Sequence, residues 1–376
     1  MAKVELHNIT KEFKNTVALD NINLTINDNE FFVLFGPAGA GKTTLLKIIA
    51  GAEFPEVGTV KIGGKIMNQT ESRERNVSMV FENYALYPNL SVYNNIASPL
   101  RSRLYRQNKN DIENAVVNIT KKLKIDNLLD RKPTQLSNGQ RQRVALGRSL
   151  VRKPDVFLLD EPLAHLDARL RNLMRAELKE MQSSINSTTI YVTHDYMEAM
   201  SLADRIAVLN EGKIIQIGSA IEMYYLPHNE FIGRLFGEPE LNIIECEYTS
   251  EKNQLCFHVF NQEVKLYPEK DVVETLLARK DSRIHIGFRS HDVQFAFTKP
   301  AENWMQGSVY AIEPIGNKVI ITVLVGTEKF ALSCANDTHA DIDQTIYFKL
   351  NMKNAIYFDP NTLEFITRSE QSLYMR

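Results

Sequence analysis

The apolar run Phe31-Phe32-Val33-Leu34-Phe35 stops at Gly36-Pro37-Ala38-Gly39-Ala40-Gly41-Lys42-Thr43-Thr44, and a second apolar series, Leu45, Leu46, Ile48 and Ile49, follows at helical spacing. Few architectures accept that order. The first run is too uniformly apolar for a sheet with one wet face, so it reads as a parallel strand buried on both sides. The glycines at 36, 39 and 41 allow a tight turn into a helix beginning near Lys42, and they bring backbone N–H groups and the positive end of a helix dipole toward an anion. Residues 36–43 fit G-x-x-x-x-G-K-[ST] at every fixed position. In that pattern the lysine reaches the β- and γ-phosphates of a nucleotide and the hydroxyl, here that of Thr43, ligates Mg²⁺. An ordinary glycine-rich turn is the bland alternative; the strand before it and the helix after it weigh against that reading.

At 376 residues the chain exceeds what one hydrophobic core usually organises, which predicts two domains. Forty-four basic and 46 acidic residues give a formal net charge of -2, which removes the bulk electrostatic argument for a nucleic-acid partner. No apolar run approaches the roughly 18 residues that cross a bilayer, and the start Met1-Ala2-Lys3-Val4-Glu5 has no signal-peptide core. A soluble, cytosolic chain is expected. Cys246, Cys256 and Cys334 are few, odd in number and without metal-ligand spacing, so they read as buried reduced thiols.

Alternation in residues 1–30 predicts antiparallel strands ahead of the glycine-rich turn. Ile112, Val116, Ile119 and Leu123 predict a helix within 105–130, with Lys121, Lys122 and Lys124 mostly off its stripe. Leu170, Leu173, Met174, Leu178 and Met181 predict another over 168–184 whose charges form a solvated face. Two further buried strands, Val156-Phe157-Leu158-Leu159 and Ile190-Tyr191-Val192, each end in acidic or histidine residues. Ligands of parallel α/β sheets bind beyond the carboxyl ends of strands, so these ends and the glycine-rich turn should converge on one site. Residues 205–217 read as a hairpin turning at 210–213. Beyond about 236, short alternating strands near 243–249, 255–260, 283–288, 318–325 and 346–350 point to a small β-barrel or sandwich. The boundary is expected near Phe236-Gly237-Glu238-Pro239.

Asp160 and Glu161 stand where one carboxylate can hold a metal shell and a second can orient an attacking water. Alone, the pair is equally a strand running into a polar loop. Leu136-Ser137-Asn138-Gly139-Gln140 offers a second helix start with small residues and a capping serine. On the residues alone, plain helix capping is the favoured reading. One nucleotide rarely needs two such loops from one chain, which raises the alternative that the second serves a partner's nucleotide.

With these residues together, the chain resembles the ATPase subunit of an ATP-binding-cassette importer of the maltose, multiple-sugar and glycerol-phosphate branch. Residues 36–43 resemble its Walker A loop, 136–140 its signature motif, 156–162 its Walker B segment, Asp167 its D-loop aspartate and His194 its switch histidine. Phe13 falls where the family stacks an aromatic on adenine, and residues 81–88 resemble the Q-loop and permease-facing surface. The motifs cover essentially all of 1–235. The later segments 286–291 and 313–316 resemble turns of the branch's C-terminal domain less strongly. The resemblance implies a P-loop cassette ATPase over 1–235, with mixed sheet and a helical subdomain at about 89–152, followed by an all-β OB-like regulatory domain over 236–376. It implies ATP and Mg²⁺ as cofactors, Thr43, Glu82 and Asp160 near the metal, and Glu161, Glu82 and His194 in catalysis. ATP would contact Phe13, Gly36, Pro37, Ala38, Gly39, Ala40, Gly41, Lys42, Thr43 and Thr44 of one subunit, and Ser137, Asn138, Gly139, Gln140 and Asp167 of another. The implied partners are a second cassette subunit, two membrane permeases met near Tyr84, Leu86 and Tyr87, and, indirectly, a solute-binding protein. The implied location is the cytoplasmic face of the cell membrane, and no nucleic-acid partner is implied. Even so, Tyr84 and Tyr87 are equally open to being ordinary buried aromatics.

Two positions depart from the family's pattern. Glu82 replaces the Q-loop glutamine and Asn138 the first glycine of the signature motif. Glutamate offers an oxygen to a metal but no amide N–H, and it adds negative charge beside a polyanion. Asn138 keeps its backbone N–H while filling space that glycine leaves empty. Neutral drift and an unequal pair of cassettes both account for this. The leading expectation is the ATPase of a sugar, polyol or glycerol-like solute importer. The alternatives are a hydrolytically weak or asymmetric partner cassette and a cassette that works as a nucleotide switch without transport.

Overall fold

The computed structural model describes residues 2–164, 166–184, 187–251, 254–260 and 265–370. His165 and the side chain of Met181 lie outside the described residues. The chain divides into two compact units, Met1–Ala220 and Ile221–Arg376.

The first unit opens with β1 (Val4–Phe13) and β2 (Thr16–Ile26), antiparallel as the alternation predicts. It continues through β3 (Phe31–Phe35), α1 (Lys42–Ala50), β4 (Val57–Ile62), β5 (Lys65–Ile66) and β6 (Val77–Val80). Three helices follow, α2 (Val92–Ala97), α3 (Lys109–Lys122) and α4 (Asn138–Leu150), and then β7 (Val156–Asp160), α5 (Ala168–Ser184), β8 (Thr188–Thr193), α6 (Tyr196–Leu202), β9 (Arg205–Asn210) and β10 (Lys213–Gly218). One sheet has the order β2-β1-β4-β5; the other, β10-β9-β3-β8-β7-β6, is parallel except for its β9–β10 hairpin. Glu211 and Gly212 form the turn of that hairpin, both with positive φ, as the predicted 210–213 turn requires.

Every residue of β3, β7 and β8 is buried. The alternate side chains Phe32, Leu34, Val156, Leu158, Ile190 and Val192 share one core with Leu45, Leu46, Ile48 and Ile49 of α1 and with the inner residues of β1, β2 and β4. This packing fixes α1 directly behind the strand that feeds it. Arg75, itself buried, donates to the carbonyls of Ile48 and Ile49 at 2.7 and 3.1 Å and to Met67 and Thr70, so a cation closes the negative end of α1. In α3, Ile112 and Val116 are buried and Leu123 follows at its C-terminal end. In α5 the apolar stripe is Leu170, Met174 and Leu178, four residues apart, whereas Leu173 is 52 % exposed. The charges of α5 are more than a solvated face: Arg143 of α4 meets Glu177 at 3.0 Å and Lys179 donates to the Leu202 carbonyl at 2.8 Å.

In the second unit, α7 (Ala220–Tyr225) and α8 (Glu230–Leu235) precede β11 (Asn242–Glu251), β12 (Gln254–His258), β13 (Lys265–Leu266), α9 (Lys270–Leu277) and β14 (Arg283–Phe288). The remaining strands are β15 (Val293–Ala296), β16 (Met305–Ile315), β17 (Lys318–Val325), β18 (Glu328–Ala335), β19 (Thr345–Leu350), β20 (Ile356–Phe358) and β21 (Phe365–Arg368). They form two antiparallel sheets, β13-β12-β11-β14-β20-β21 and β15-β19-β16-β17-β18, around one core. The unit begins at Ile221, ahead of the 236 boundary read from the sequence. The reason is packing: Gly233 lies against Leu241 and Phe358, and buried Arg289 donates to the carbonyls of Tyr224 and Gly233 at 2.8 and 2.9 Å. Among the described residues, α9 is the one α-helix inside the region expected to be purely β. Cys246, Cys256 and Cys334 are buried free thiols, and burial pushes Cys334 up to about 11.

Candidate functional site

The carboxyl ends of β3, β8 and β7 lie side by side, with Asp160 in register with Val192 and Phe35 with Thr193. Everything that follows those strands is therefore placed in one neighbourhood. After β3, a Cβ on Gly36 would lie 2.0 Å from the Leu209 carbonyl oxygen, so only glycine permits the backbone to pass β9 there. Gly41 has φ 103° and caps α1 without any side-chain hydrogen bond. The first turn of α1 thus keeps backbone donors for an external acceptor.

Lys42 is buried, and its ammonium donates to the carbonyls of Gly36 and Pro37, both at 2.8 Å, with Glu161 Oε1 at 3.9 Å. Burial lowers its pKa, opposed by the charges of Glu161 and Asp160. Thr43 donates through Oγ1 to Asp160 Oδ1 at 3.0 Å. Burial raises the pKa of Asp160; the Thr43 hydrogen bond opposes this, and the like charges of Glu161 and Glu82 add to it. Glu82 follows β6, the edge strand beside β7, which is why its charge is felt at Asp160. Glu161 takes φ 44° just past β7, and its Oε2 meets His194 Nδ1 at 2.8 Å.

Lys42, Thr43, Asp160, Glu161, His194 and Glu82 are therefore gathered at one sheet edge. A divalent cation fits here on donor chemistry: a threonine hydroxyl and a buried carboxylate already face each other beside another carboxylate, the hard oxygen set that Mg²⁺ prefers. Phe13 is 43 % exposed at the end of β1, with Lys11 Nζ 5.0 Å from its ring centre.

Residues 137–140 are differently placed. Ser137 Oγ accepts from Gln140 N at 3.3 Å and Gln140 Oε1 accepts from Ser137 N at 3.1 Å, a reciprocal capping box on α4. Asp167 caps α5 through Leu170 N at 2.9 Å. Among the described residues no hydrogen bond or ion pair joins 137–140 to 36–44.

Sequence reading put a permease contact near Tyr84, Leu86 and Tyr87 and left the two tyrosines equally open to being buried aromatics; Tyr84 is buried, while Tyr87 is 52 % exposed. Arg148 of α4, missed by that reading, donates to the Tyr84 and Ala85 carbonyls at 3.0 and 2.7 Å and stacks over the Tyr87 ring. Asn95 bonds the Tyr87 amide and carbonyl, at 2.8 and 3.1 Å. Beside this segment runs an open groove of about 990 Å³ whose lining includes Phe81, Tyr87, Leu104, Tyr105, Arg148 and Arg152.

Comparison with known proteins agrees with this geometry. The family model described as "ABC transporter" matches residues 19–164. The chain is 40 % identical over 372 residues to the trehalose/maltose import ATP-binding protein MalK of Thermococcus litoralis, covering 96 % of this chain and 99 % of that protein. It is 41 % identical over 322 residues to the sn-glycerol-3-phosphate import ATP-binding protein UgpC of Psychromonas ingrahamii, covering 85 % of this chain and 82 % of that one. A dimeric post-hydrolysis ATP-binding cassette bound to ADP and Pi superposes with a TM-score of 0.52 at 30 % identity, covering 58 % of this chain and 98 % of that chain. The P-loop, the strand-end carboxylates and a near full-length match to an import ATP-binding protein together make this chain a member of the ABC transporter family, an ATPase subunit of the import type.

Proposed function

We propose that this chain binds Mg-ATP at the ends of β3, β7 and β8 and, as one half of a pair of cassettes, powers uptake of a sugar, polyol or glycerol-like solute through two permease subunits. The observation that carries this reading is the convergence of Lys42, Thr43, Asp160, Glu161 and His194 at adjacent parallel strand ends. Amides of 38–43 and the Lys42 ammonium bind the phosphates; Lys42 exchanges its two loop carbonyls for them. Thr43, Asp160 and Glu82 would hold Mg²⁺, which would supply neutralising charge to the phosphate oxygens. Glu161 orients the attacking water and accepts its proton, while His194 holds Glu161 and meets the γ-phosphate. Phe13 stacks on the base.

The self-capped α4 start supports a composite site, because Ser137, Asn138, Gly139 and Gln140, with Asp167, are then offered to the nucleotide of a second subunit. ATP favours the closed pair over the open one, so binding closes it and hydrolysis reopens it. The groove lined by Phe81, Tyr87, Leu104 and Tyr105 suits a helix of the permease, with Tyr84 acting beneath it rather than in contact. No described helix is long and apolar enough to cross a membrane, and the chain attaches to the cytoplasmic face through its permeases. The branch's solute-binding protein is an indirect partner. Maltose and glycerol-phosphate importers among the relatives support the solute class.

A second reading, an unequal pair in which this chain is the slower cassette, rests on Glu82 beside Asp160 and on Asn138 at the start of α4. The Glu161→Gln variant tests the main reading. It is expected to bind ATP, to lose hydrolysis by on the order of a hundredfold or more, and to run as an ATP-dependent dimer in size-exclusion chromatography. A monomer at saturating Mg-ATP overturns the composite site.

A further inference from the structure

Beneath the Glu161–His194 pair lies a polar network that no phosphate contact requires. Glu198, in the first turn of α6, is buried, and its Oε2 accepts from Tyr191 at 2.8 Å and from Thr193 at 2.7 Å. Thr193 Oγ1 in turn accepts from the amide of Asp195, just past His194, at 3.0 Å. Asp195 caps α6 through the amides of Met197 and Glu198. The backbone on both sides of His194 is thereby fixed.

Arg171 enters from α5, one turn beyond Asp167. It donates to the Leu166 carbonyl at 3.2 Å and to Asp195 Oδ2 at 3.3 Å. Its Nε is buried without a hydrogen-bond partner and lies 4.0 Å from Glu198 Oε1. A cavity of about 30 Å³ bounded by Glu161, Arg171, Thr193, His194 and Glu198 separates these groups. That space admits one water, which could reach the orphaned Nε and the carboxylate together. Burial raises the pKa of Glu198 against the two hydroxyl donors and Arg171. A half-compensated carboxylate is expensive to keep in a core, and such sites are retained where a geometry must be held.

We propose that Arg171, Asp195 and Glu198 are positioning residues that hold His194 against Glu161 and tie this pair to Leu166 and the adjoining Asp167. The proposal rests on the hydrolytic reading given above. Because Arg171 grips Leu166 and Asp195 at once, a displacement of Leu166 and the adjoining Asp167, which in a paired cassette faces the second subunit, is passed to the residue that follows His194. Occupancy of the partner's site would reach this site's hydrolytic pair through two residues.

The test is a double-mutant cycle on the full chain with Arg171→Met and Glu198→Gln, measuring steady-state hydrolysis, binding of a fluorescent ATP analogue and thermal melting. Each single variant is expected to lower kcat about tenfold while analogue affinity stays within about twofold. The double variant is expected to fall little further than the worse single, as residues acting as one unit do. Arg171→Lys, which keeps the charge but not the two-armed grip, should recover part of the rate, and it replaces Arg171→Met in the cycle if that variant does not fold. A kcat within about twofold of the parent in both singles, weakened analogue binding at unchanged kcat, or a multiplicative loss of about a hundredfold in the double overturns the proposal. Glu161→Gln runs as the control. If it hydrolyses ATP like the parent the hydrolytic reading itself fails, whereas an inactive control with normal singles removes only the positioning network.

Discussion

Helices α1 and α4 both begin with glycine and a small polar residue nearby, and both look like anion sites, yet their starts are opposite in kind. At α1, Gly41 supplies no side-chain cap, and the Lys42 ammonium donates to the carbonyls of Gly36 and Pro37. At α4 the side chains of Ser137 and Gln140 satisfy each other's amides. An uncapped start leaves amide donors open to water or to an anionic ligand, and an anion there also gains the helix dipole. A start closed on itself is stable while it waits. That difference fits a nucleotide gripped first by α1 and covered later by the α4 of a second subunit.

The largest expected contrast between them is steric. In Gly36→Ala the new Cβ would meet a backbone carbonyl at 2.0 Å, whereas in Gly139→Ala it would meet only the mobile end of Leu170 at 2.9 Å. The first substitution should cost upwards of about 4 kcal/mol or leave the chain unfolded, and the second about 1 kcal/mol, the range of mild overpacking. Urea denaturation of the two variants measures both. Equal losses would mean that α4 is as tightly specified as α1, and the contrast would go.

This contrast also explains what the sequence could say. The glycine-rich turn was legible because its pattern has a single mechanical meaning, and the convergence of Asp160, Glu161 and His194 followed from the rule that ligands meet parallel sheets at strand ends. Arg75, Arg148 and Arg171 were not legible. Arg75 and Arg148 act on backbone carbonyls and Arg171 on the Asp195 carboxylate, all distant in the chain, and nothing in the spacing of an arginine announces which group it will find. Leu173 misled for a related reason: periodicity gives a stripe, but the width of the buried part depends on what packs there. The compact unit starts at Ile221 and the expected boundary lies near 236 because α7 and α8 are helices, like those of the preceding cassette, while Gly233 and Arg289 attach them to the β-strands that follow.

Glu82 sharpens the comparison from the α1 side. Its charge adds to that of Glu161 in raising the pKa of Asp160. In Glu82→Gln that contribution disappears, so Asp160 stays ionised to lower pH and the acid limb of Mg-ATP binding should move downward. The restored amide also returns a donor beside the phosphates. Hydrolysis by the assembled transporter is expected to rise several-fold, up to about tenfold, which is about 1.4 kcal/mol of barrier. A pH series of nucleotide binding with and without the substitution reads the first effect, and steady-state turnover the second. If neither moves, Glu82 is neutral and the unequal-pair reading loses its main support.

The smallest effect belongs to the self-closed start. Ser137→Ala removes the acceptor for the Gln140 amide, a bond of 3.3 Å at an exposed helix end, and should cost about 1 kcal/mol of stability. If α4 serves only its own subunit, that loss ends the matter: nucleotide affinity and turnover should follow the parent chain. If the same hydroxyl also meets the γ-phosphate held by a second subunit, the isolated chain should bind ATP normally while ATP-driven dimerisation weakens by roughly tenfold, the 1.4 kcal/mol expected of one charge-assisted hydrogen bond. Sedimentation equilibrium in the Glu161→Gln background separates these outcomes, because hydrolysis no longer empties the site during the run. A dimer undiminished by Ser137→Ala would leave α4 as a capped helix and nothing more, and the difference between the two helix starts would then concern stability alone.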